Sequence, residues 1–284
     1  MDAAFEHCER LVREGDKDRF LADLFAPAQR RPLLFALHAF NLEIARVPGL
    51  VREPLAGEMR LQWWRDALAG GGQSEAGAGP VAGALRRTIL SAGLDAAPLV
   101  GLIDARSFDL YREPMKTFAD YETYARRTSS SLIEAAARIL GFAGADIETA
   151  AAHAGIAVAT ANLLRAVPHH AARGQLFIPA ECLDRHGASA SAVLAGKTSP
   201  ELLAALAEMH GLARVHLAQA RAALARTPAG AGPAFLTVPL VEPYLKTMER
   251  ADYDPFRTPA DLPQWRRQWI MWRAARRPRH LTGA

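Results

Sequence analysis

Two arginines and two adjacent histidines give residues 162–179 the densest group of chemically competent side chains in the sequence. Arg165 and Arg173 lie on either side of His169 and His170. An arginine pair suits a diphosphate or a carboxylate, because each guanidinium can donate to two oxygens at once. Adjacent histidines on a helix or turn point apart, so one metal ion rarely binds both. We therefore interpret the histidines as part of a solvated turn and the arginines, together with Asn162, as candidate ligand contacts.

A second polar group lies within the apolar residues 32–44, whose pattern predicts a central buried helix. His38 and Asn41 share one face of this helix with Ala45, whereas Glu43 lies on another face. Polar groups in such a helix must find hydrogen-bond partners or line a cavity. A hydrogen-bonded core network is the general expectation, and a ligand pocket is the alternative.

Hydroxyl-bearing residues follow two tyrosines in a third segment. Tyr121, Tyr124, Thr128 and Ser131 step along one face at helical spacing. The small side chains among them would let another helix or a ligand tail approach closely. The spacing does not distinguish these two interpretations.

Almost all of the segments that carry these side chains predict helix. Further helices are expected at residues 55–68, 81–92, 95–111, 117–140, 145–166, 200–226, 234–250 and 261–275. Residues 70–74 and 228–233 are rich in glycine or proline and predict loops. Alternating β-branched runs are missing, and only residues 175–179 look extended. We expect one large all-α domain over residues 1–261, followed by a basic helix and tail over residues 262–284.

The charge of the chain is concentrated at its C-terminal end. Half of the 284 residues are hydrophobic, which excludes intrinsic disorder as the main state. The 34 basic and 30 acidic residues give a formal net charge of +4. Residues 262–284 hold six arginines and no acid, so the remainder is slightly acidic. We therefore expect no nucleic-acid partner.

The basic tail also carries three tryptophans. Trp265, Trp269 and Trp272 follow i, i+4, i+7 spacing, with arginines on the remaining faces. Tryptophan and arginine on an amphipathic helix suit a membrane interface or an acidic partner. Packing of the tryptophans onto the body is the alternative.

The cysteines and the first residues bear on the compartment. Cys8 and Cys182 are far apart and form no CxxC motif, which argues against a disulfide framework and a cysteine-built zinc site. The first twenty residues lack the apolar stretch of a signal peptide. We expect a cytoplasmic protein with peripheral contact at the inner face of the membrane, made through the C-terminal tail.

The order of these segments resembles the squalene/phytoene synthase family over about residues 20–244. The strongest element is Asn162-Leu163-Leu164-Arg165, followed by Arg173-Gly174 and Phe177-Ile178-Pro179, which resembles the family signature N-I-L-R-D-x-x-x-D-x-x-R-G-R-x-Y-L-P. Ala39-Phe40 resembles the start of the signature A-F-C-R-x-x-D-D-x-x-D, and Asp109 resembles the acid that follows M-x-x-D-L. The resemblance implies a single all-α bundle around a central apolar cavity.

The aspartates of the family are missing from this sequence. The family's enzymes join two prenyl diphosphates, using Mg²⁺ ions held by two facing aspartate clusters. The matching positions here read Ala45, Arg46, Gly49, Ala166 and His170. Alanine, glycine and arginine cannot bind Mg²⁺, and histidine is a poor substitute for a carboxylate. The resemblance therefore implies no catalytic residue, and we expect no metal and no other cofactor.

One branch of the family combines this framework with the loss of the aspartates. It includes a mitochondrial assembly factor for respiratory complex I and its bacterial relatives, which the runs 36–45, 59–64, 128–132 and 164–170 resemble. The resemblance implies a pseudo-enzyme that contacts a complex I subunit or assembly intermediate and binds a lipid or isoprenoid. The ligand-pocket candidates are His38, Asn41, Glu43, Asp109, Tyr124, Thr128, Asn162, Arg165, His169 and Arg173.

The alternative interpretation is an active prenyltransferase of the phytoene or squalene synthase type. It would need an atypical Mg²⁺ site drawn from Glu43, Asp109 and the pair His169 and His170. A pure lipid-binding module is a third interpretation, and it differs from the first only in which partner matters.

Overall fold

The computed structural model describes residues 2–70, 79–276 and 281, and these residues form helices and connecting turns without a strand. The α-helices are α1 Ala3–Gly15, α2 Lys17–Asp23, α3 Arg31–Leu50, α4 Pro54–Leu68, α5 Gly79–Ala92, α6 Ala97–Arg106, α7 Phe118–Ala125, α8 Ser131–Ile139, α9 Ala145–Arg165, α10 Val167–Ala172, α11 Ala180–His186, α12 Ala190–Leu194, α13 Pro200–Leu224, α14 Val241–Met248 and α15 Gln264–Arg276. The predicted all-α architecture is confirmed.

Helix α3 is the centre of one of the two larger hydrophobic clusters. Its early proline suits the first turn of a helix, where the missing N–H has no partner to lose. Ten of its residues are buried, and it packs against α1, α5 and α8. By length and mean hydropathy α3 could also cross a membrane, but its apolar residues are largely buried within the bundle. Such burial is typical of a central core helix.

Helices α9 and α13 form the centre of the second hydrophobic cluster. They pack more extensively against each other than any other pair of described elements. Both are rich in buried alanines, among them Ala150, Ala154 and Ala157 on α9 and Ala205 and Ala213 on α13. Small side chains let two helix backbones approach closely, so many weak dispersion contacts add up along the pair. The end of α9, with the residues Asn162 to Arg165 that resemble the family signature, is therefore held in place by close helix packing.

A π-helical turn, Arg126–Ser130, replaces the uninterrupted helix predicted for residues 117–140. Ser130 lies directly against Gly155 of α9, and a Cβ on that glycine would overlap the backbone of Ser130. The predicted close approach of a second helix is therefore present. Its contact residue is Ser130 rather than Thr128 or Ser131, because the extra residue of the π turn rotates the face that meets α9.

Three other boundary predictions were wrong. Of the helix predicted for residues 234–250, only Val241–Met248 is an α-helix. Residues 228–233 were expected to be a loop, yet Ala229–Phe235 forms a 3₁₀ helix that begins directly after Pro228. The helix predicted for residues 95–111 ends at Arg106 and continues as a 3₁₀ helix, Ser107–Leu110. The tighter 3₁₀ turn serves as a short connector where an α-helix ends. Most of the predicted loop at residues 70–74 lies outside the described residues.

Helix α15 packs onto the same core as α9 and α13. Its residues Met271 and Ala274 are buried in that cluster, as is Leu262 just before the helix. Arg267 of α15 donates to Asp18 of α2 across 2.9 Å. The basic C-terminal helix is thus attached to the body along one face.

Candidate functional site

An arginine-lined cavity opens where the C-terminal end of α3 faces the segment after α10. The cavity has a volume of about 490 Å³. Its lining comes from the α3–α4 connection, from the 3₁₀ helix at Asp109 with the residues that follow it, and from Arg173 and Gln175. We call this cavity the mouth. It includes Gly49, one of the positions where the family pattern has an aspartate.

Three exposed guanidinium groups, those of Arg52, Arg112 and Arg173, line the mouth. None of the three makes an ion pair with any described residue. A Cβ added to Gly49 would lie only 3.5 Å from Arg173 Nη2, so this arginine stands directly beside that position. Glu53 also lines the mouth and is the exposed carboxylate there. The surplus of unpaired cations suits an anionic group with several oxygens.

Beneath the mouth, Asp109 belongs to a buried network. One carboxylate oxygen accepts from Arg106 Nη1 at 2.9 Å and the other accepts from the Tyr124 hydroxyl at 2.8 Å. The backbone carbonyl of Asp109 accepts from Gln175 Nε2. Burial raises the pKa of the Asp109 carboxyl, and the Arg106 guanidinium and Tyr124 hydroxyl act against that rise. Both side-chain oxygens are therefore occupied within the protein.

Thr128 and Tyr121 take part in helix packing. The Thr128 hydroxyl donates to the Tyr124 carbonyl at 2.8 Å, and the Tyr121 hydroxyl donates to Thr160 Oγ1 on α9 at 2.9 Å. Burial raises the pKa of Tyr121 and that of Tyr124, and both side chains are buried. This row of hydroxyls joins helices and does not line the mouth.

The two histidines lie on the short helix α10 rather than in the predicted solvated turn. His170 packs its ring 4.5 Å from that of Phe177, and its buried Nδ1 has no hydrogen-bond partner among the described residues. Burial, and next the charge of Arg173, lower the pKa of His170 to about 4, so the imidazole is neutral at neutral pH. His169 is exposed on a different side of α10. The prediction that the two rings point apart is confirmed.

Arg165 is part of a structural contact away from the mouth. Its Nε donates to the Ala260 carbonyl at 2.7 Å, and its guanidinium lies 3.7 Å from the centre of the Tyr244 ring. Asn162 and His169 line a second cavity with it, of about 500 Å³. The structure does not bring Arg165 and Arg173 into one cavity. Arg165 precedes helix α10 and Arg173 follows it, so the two arginines lie at opposite ends of this helix.

His38 and Asn41 lie inside the bundle. His38 Nδ1 is 2.8 Å from Asp23 Oδ2, and both side chains are buried. This pair forms the predicted core network, but Asp23 was not among the predicted residues because no local spacing connects it with α3. Burial raises the pKa of Asp23, and His38 beside it acts in the opposite direction. Asn41 Oδ1 is buried without a hydrogen-bond partner among the described residues.

Glu43 and Arg46 face a separate groove on the outside of α3. Apolar residues of α4, including Met59 and Trp63, form the opposite wall of this groove, which has a volume of about 790 Å³. Burial raises the pKa of Glu43, and the neighbouring Arg46 acts against the rise. Glu43 is therefore not a lining residue of the mouth.

The residues present do not fit the Mg²⁺ clusters of the family. Five aspartate positions lack a carboxylate, and Arg173 places a cation beside one of them. The atypical metal site is not assembled either. Glu43, Asp109, His169 and His170 each line a different cavity. Hard divalent cations need several oxygen ligands converging on one point, and these residues offer no such point.

The exposed face of α15 carries the three tryptophans. Trp265, Trp269 and Trp272 are 68%, 52% and 42% exposed, and the last two stack with ring centres 5.1 Å apart. Arg266 and Arg273 are exposed beside them. We call this surface the tryptophan face. It lies on the helix side that is not attached to the core, so the alternative in which the tryptophans pack onto the body is wrong.

The sequence is similar to those of several other proteins over most of its length. Over 250 residues the chain is 34% identical to "NADH dehydrogenase (ubiquinone) complex I, assembly factor 6" of Rattus norvegicus and 32% identical to that of Homo sapiens, covering 88% of this chain and 75% of each relative. It is 24% identical to the 15-cis-phytoene synthase of Synechococcus elongatus, over 94% of this chain and 91% of that protein.

Solved structures with low sequence identity share the fold. A dehydrosqualene synthase in complex with ligand matches with a TM-score of 0.83 at 17% identity, covering 96% of this chain and 95% of the other. A squalene synthase from Alicyclobacillus acidocaldarius matches with a TM-score of 0.76 at 22% identity, covering 89% and 95%. The family model for squalene/phytoene synthase matches residues 12–273. The chain therefore belongs to the squalene/phytoene synthase family.

Proposed function

We propose that this chain acts in the assembly of respiratory complex I and does not catalyse prenyl transfer. The observation that carries the proposal is the mouth, where Gly49 stands at a position that has a carboxylate in the family pattern and the guanidinium of Arg173 lies beside it. The relatives named as complex I assembly factor 6 support the biological setting. In this proposal the chain contacts a complex I subunit or an assembly intermediate and needs no metal at the mouth.

An activity assay tests the loss of catalysis. The purified protein is incubated with Mg²⁺ and labelled farnesyl or geranylgeranyl diphosphate, beside a dehydrosqualene synthase as positive control. We expect no condensed product from this chain. A product that forms only with Mg²⁺ and disappears in Arg173→Ala would overturn the pseudo-enzyme proposal.

A deletion in the organism that encodes the chain tests the assembly role. We expect lower complex I content with unchanged sterols, hopanoids and carotenoids, and restoration of complex I by the wild-type gene. The variant Arg60→Ala, which changes an exposed arginine outside the mouth, serves as a control and should also restore complex I. Normal complex I content in the deletion strain would contradict the role.

We further propose that the mouth binds the phosphate of a lipid or isoprenoid directly through its arginines. Three guanidinium groups that have no described ion-pair partner stand around one cavity. Concentrating like charges without a counter-ion is unfavourable, and a phosphate oxygen accepts well from a guanidinium. Since no metal bridges the contact in this proposal, binding should persist in a chelator.

Vesicle binding in EDTA tests the mouth. Vesicles of a neutral phospholipid, with and without phosphatidic acid, are compared for wild type and Arg112→Ala/Arg173→Ala. We expect the double variant to lose most of the preference for phosphatidic acid. Arg60→Ala is the control, because Arg60 is an exposed arginine of the groove beside α4. Equal loss in both variants would indicate general surface charge and refute a specific site.

The tryptophan face is the proposed contact with the inner face of the membrane. Tryptophan rings favour the membrane interface, and arginines beside them favour anionic lipid. Flotation of the variant Trp269→Gln/Trp272→Gln with anionic vesicles should recover less protein than wild type. The side chains are exposed, so the variant should keep its thermal stability. Unchanged flotation would exclude this face as the anchor.

A further inference from the structure

Cys182, His186 and Glu208 form a group of potential metal ligands on the side of α13 that α11 covers. Cys182 and His186 are four residues apart on α11, which places both side chains on one face of that helix. Glu208 projects toward them from α13. Cys182 is fully buried, whereas the other two side chains are partly exposed, so an ion could reach the group from solvent.

The three ligand atoms lie close enough together for one ion to reach all of them, and one of their distances already has the tetrahedral spacing. Cys182 Sγ is 3.7 Å and His186 Nε2 is 2.7 Å from Glu208 Oε2, and all three atoms lie within 4.8 Å of one another. Zinc bonds of roughly 2.0–2.3 Å separate tetrahedral ligand atoms by about 3.3–3.8 Å. The sulfur-to-oxygen distance already meets this spacing. The nitrogen and oxygen would separate slightly when an ion replaces the hydrogen between them.

The donor set selects a borderline-soft ion. One thiolate, one imidazole and one carboxylate suit Zn²⁺, whereas Mg²⁺ and Ca²⁺ prefer oxygen ligands alone. Arg185 contacts the other oxygen of Glu208, Oε1, and so holds the carboxylate with Oε2 toward the cysteine and histidine. Such a contact orients a ligand from outside the coordination sphere. The fourth position of the tetrahedron is left for water.

We propose that Cys182, His186 and Glu208 bind Zn²⁺ and thereby join α11 to α13. Binding releases the thiol proton of Cys182 to solvent, and the ion forms bonds to Sγ, Nε2 and Oε2. Helix α11 directly follows the segment of Phe177, which packs against His170 below the mouth. The ion would therefore stabilise one wall of the bundle. This inference does not rest on the proposed assembly role.

Cobalt spectroscopy on the reduced, tag-free full chain tests the site. Co²⁺ bound by a thiolate gives a sulfur-to-metal charge-transfer band, and four-coordinate Co²⁺ gives intense visible bands. We expect both in wild type with one equivalent of Co²⁺, and their loss when Zn²⁺ is added. The variant Cys182→Ser should lose the charge-transfer band, and His186→Ala, which changes a partly exposed side chain, should weaken Co²⁺ binding at least tenfold.

The second buried cysteine provides the matched control. Cys8 lies in the other hydrophobic cluster, so Cys8→Ser should leave the spectrum unchanged. Zn²⁺ should raise the Tm of wild type and of Cys8→Ser but not that of His186→Ala. Absence of the charge-transfer band in folded wild type, or its persistence in Cys182→Ser, would overturn the proposal.

Discussion

Asp109 retains the acid of the family pattern, but its surroundings give it a structural role. Its two oxygens are occupied by Arg106 and Tyr124 at 2.9 and 2.8 Å, so neither is directed at a ligand in the mouth. A carboxylate used in this way compensates a buried guanidinium. The identity of one residue therefore does not reveal whether it binds metal or balances charge.

The variant Asp109→Ala should be less stable than Tyr124→Phe, because only the first leaves Arg106 without its ion-pair partner. Loss of the carboxylate leaves Arg106 in the interior without its ion-pair partner, which costs about 3–5 kcal/mol for a fully buried pair and less here because Arg106 is partly exposed. Loss of the Tyr124 hydroxyl removes the hydrogen bond that it donates to Asp109 and the one that it accepts from Arg106 Nη1, but it leaves the ion pair of Arg106 with Asp109 in place. Urea denaturation of both variants measures the difference. Equal stability of Asp109→Ala and wild type would contradict the charge-balancing role.

His170 should make the protein less stable as the pH falls. Its pKa in the folded state is lowered to about 4, whereas an unfolded histidine titrates near 6.5. The unfolded state therefore binds more protons between these values, and stability is lost as the pH falls through about 6.5 toward 4. His170→Phe should show a smaller fall in Tm between pH 7.5 and pH 4.5 than wild type.

The exposed neighbour of His170 separates this effect from general acid sensitivity. His169→Gln changes a histidine on the same helix that does not pack against Phe177. It should keep the pH dependence of wild type, to which His210, whose pKa burial lowers, contributes in the same direction and Asp23, whose pKa burial raises, in the opposite direction. Identical pH profiles for His170→Phe and wild type would show that His170 is not the responsible group.

Helix α9 connects the packing of the bundle with the altered metal motif. Its alanines and Gly155 allow α13 and the π turn to approach from two sides. The same helix ends at Arg165, immediately before Ala166 and α10. Tight packing of this element fixes the direction in which α10 and the following Arg173 leave it.

Replacement of Gly155 should test the close approach. In Gly155→Ala the new methyl group would overlap the backbone of Ser130, which cannot move as a flexible side chain would. Overpacking typically costs about 1–3 kcal/mol, which exceeds the gain of up to about 1 kcal/mol from better helix propensity. Thermal unfolding should show a lower Tm than wild type.

Gly211 is the matched control for that substitution. It lies inside α13, and a Cβ there would meet no atom within 4 Å. Gly211→Ala should therefore raise stability by about 0.5–1 kcal/mol through helix propensity alone. If both alanine variants changed Tm in the same direction, contact with the π turn would not be the cause.

At the scale of the whole molecule, helix α15 has one side attached to the body and one side exposed. It is far from α2 in sequence but contacts it in the fold. Met271 and Ala274 join the core, and Arg267 reaches Asp18. The tryptophan face points away from these contacts. A helix held in this way can present its outer face to a membrane without the bundle unfolding.

Arg267→Ala should destabilise the bundle, whereas Arg266→Ala should not. The ion pair of Arg267 with Asp18 is mostly buried, and a hydrogen bond between charged groups contributes about 1.5–3 kcal/mol. Arg266 is exposed, and its removal should change stability by less than about 0.5 kcal/mol. Urea denaturation of the two single variants measures this difference. A greater loss of stability in Arg266→Ala would mean that α15 is attached through other contacts.

Helical periodicity and local motifs determined the all-α class, the central position of α3 and the family. These properties depend on residues close in sequence, such as the apolar run of α3 and the Asn162-Leu163-Leu164-Arg165 motif. The loss of the aspartates was also visible in the sequence, because it depends only on which residue type occupies each position of the family signatures. The sequence also placed Trp265, Trp269 and Trp272 on one side of a helix.

Contacts between distant segments were decided by the tertiary structure alone. His38 pairs with Asp23, and Asp109 turns inward to Arg106, because the burial of a charge demands a partner wherever the fold supplies one. The separation of Arg165 from Arg173 and the meeting of Cys182 with Glu208 likewise depend on how helices pack. Local spacing determines which residues share one face of a helix, but only tertiary packing determines which helix faces contact each other.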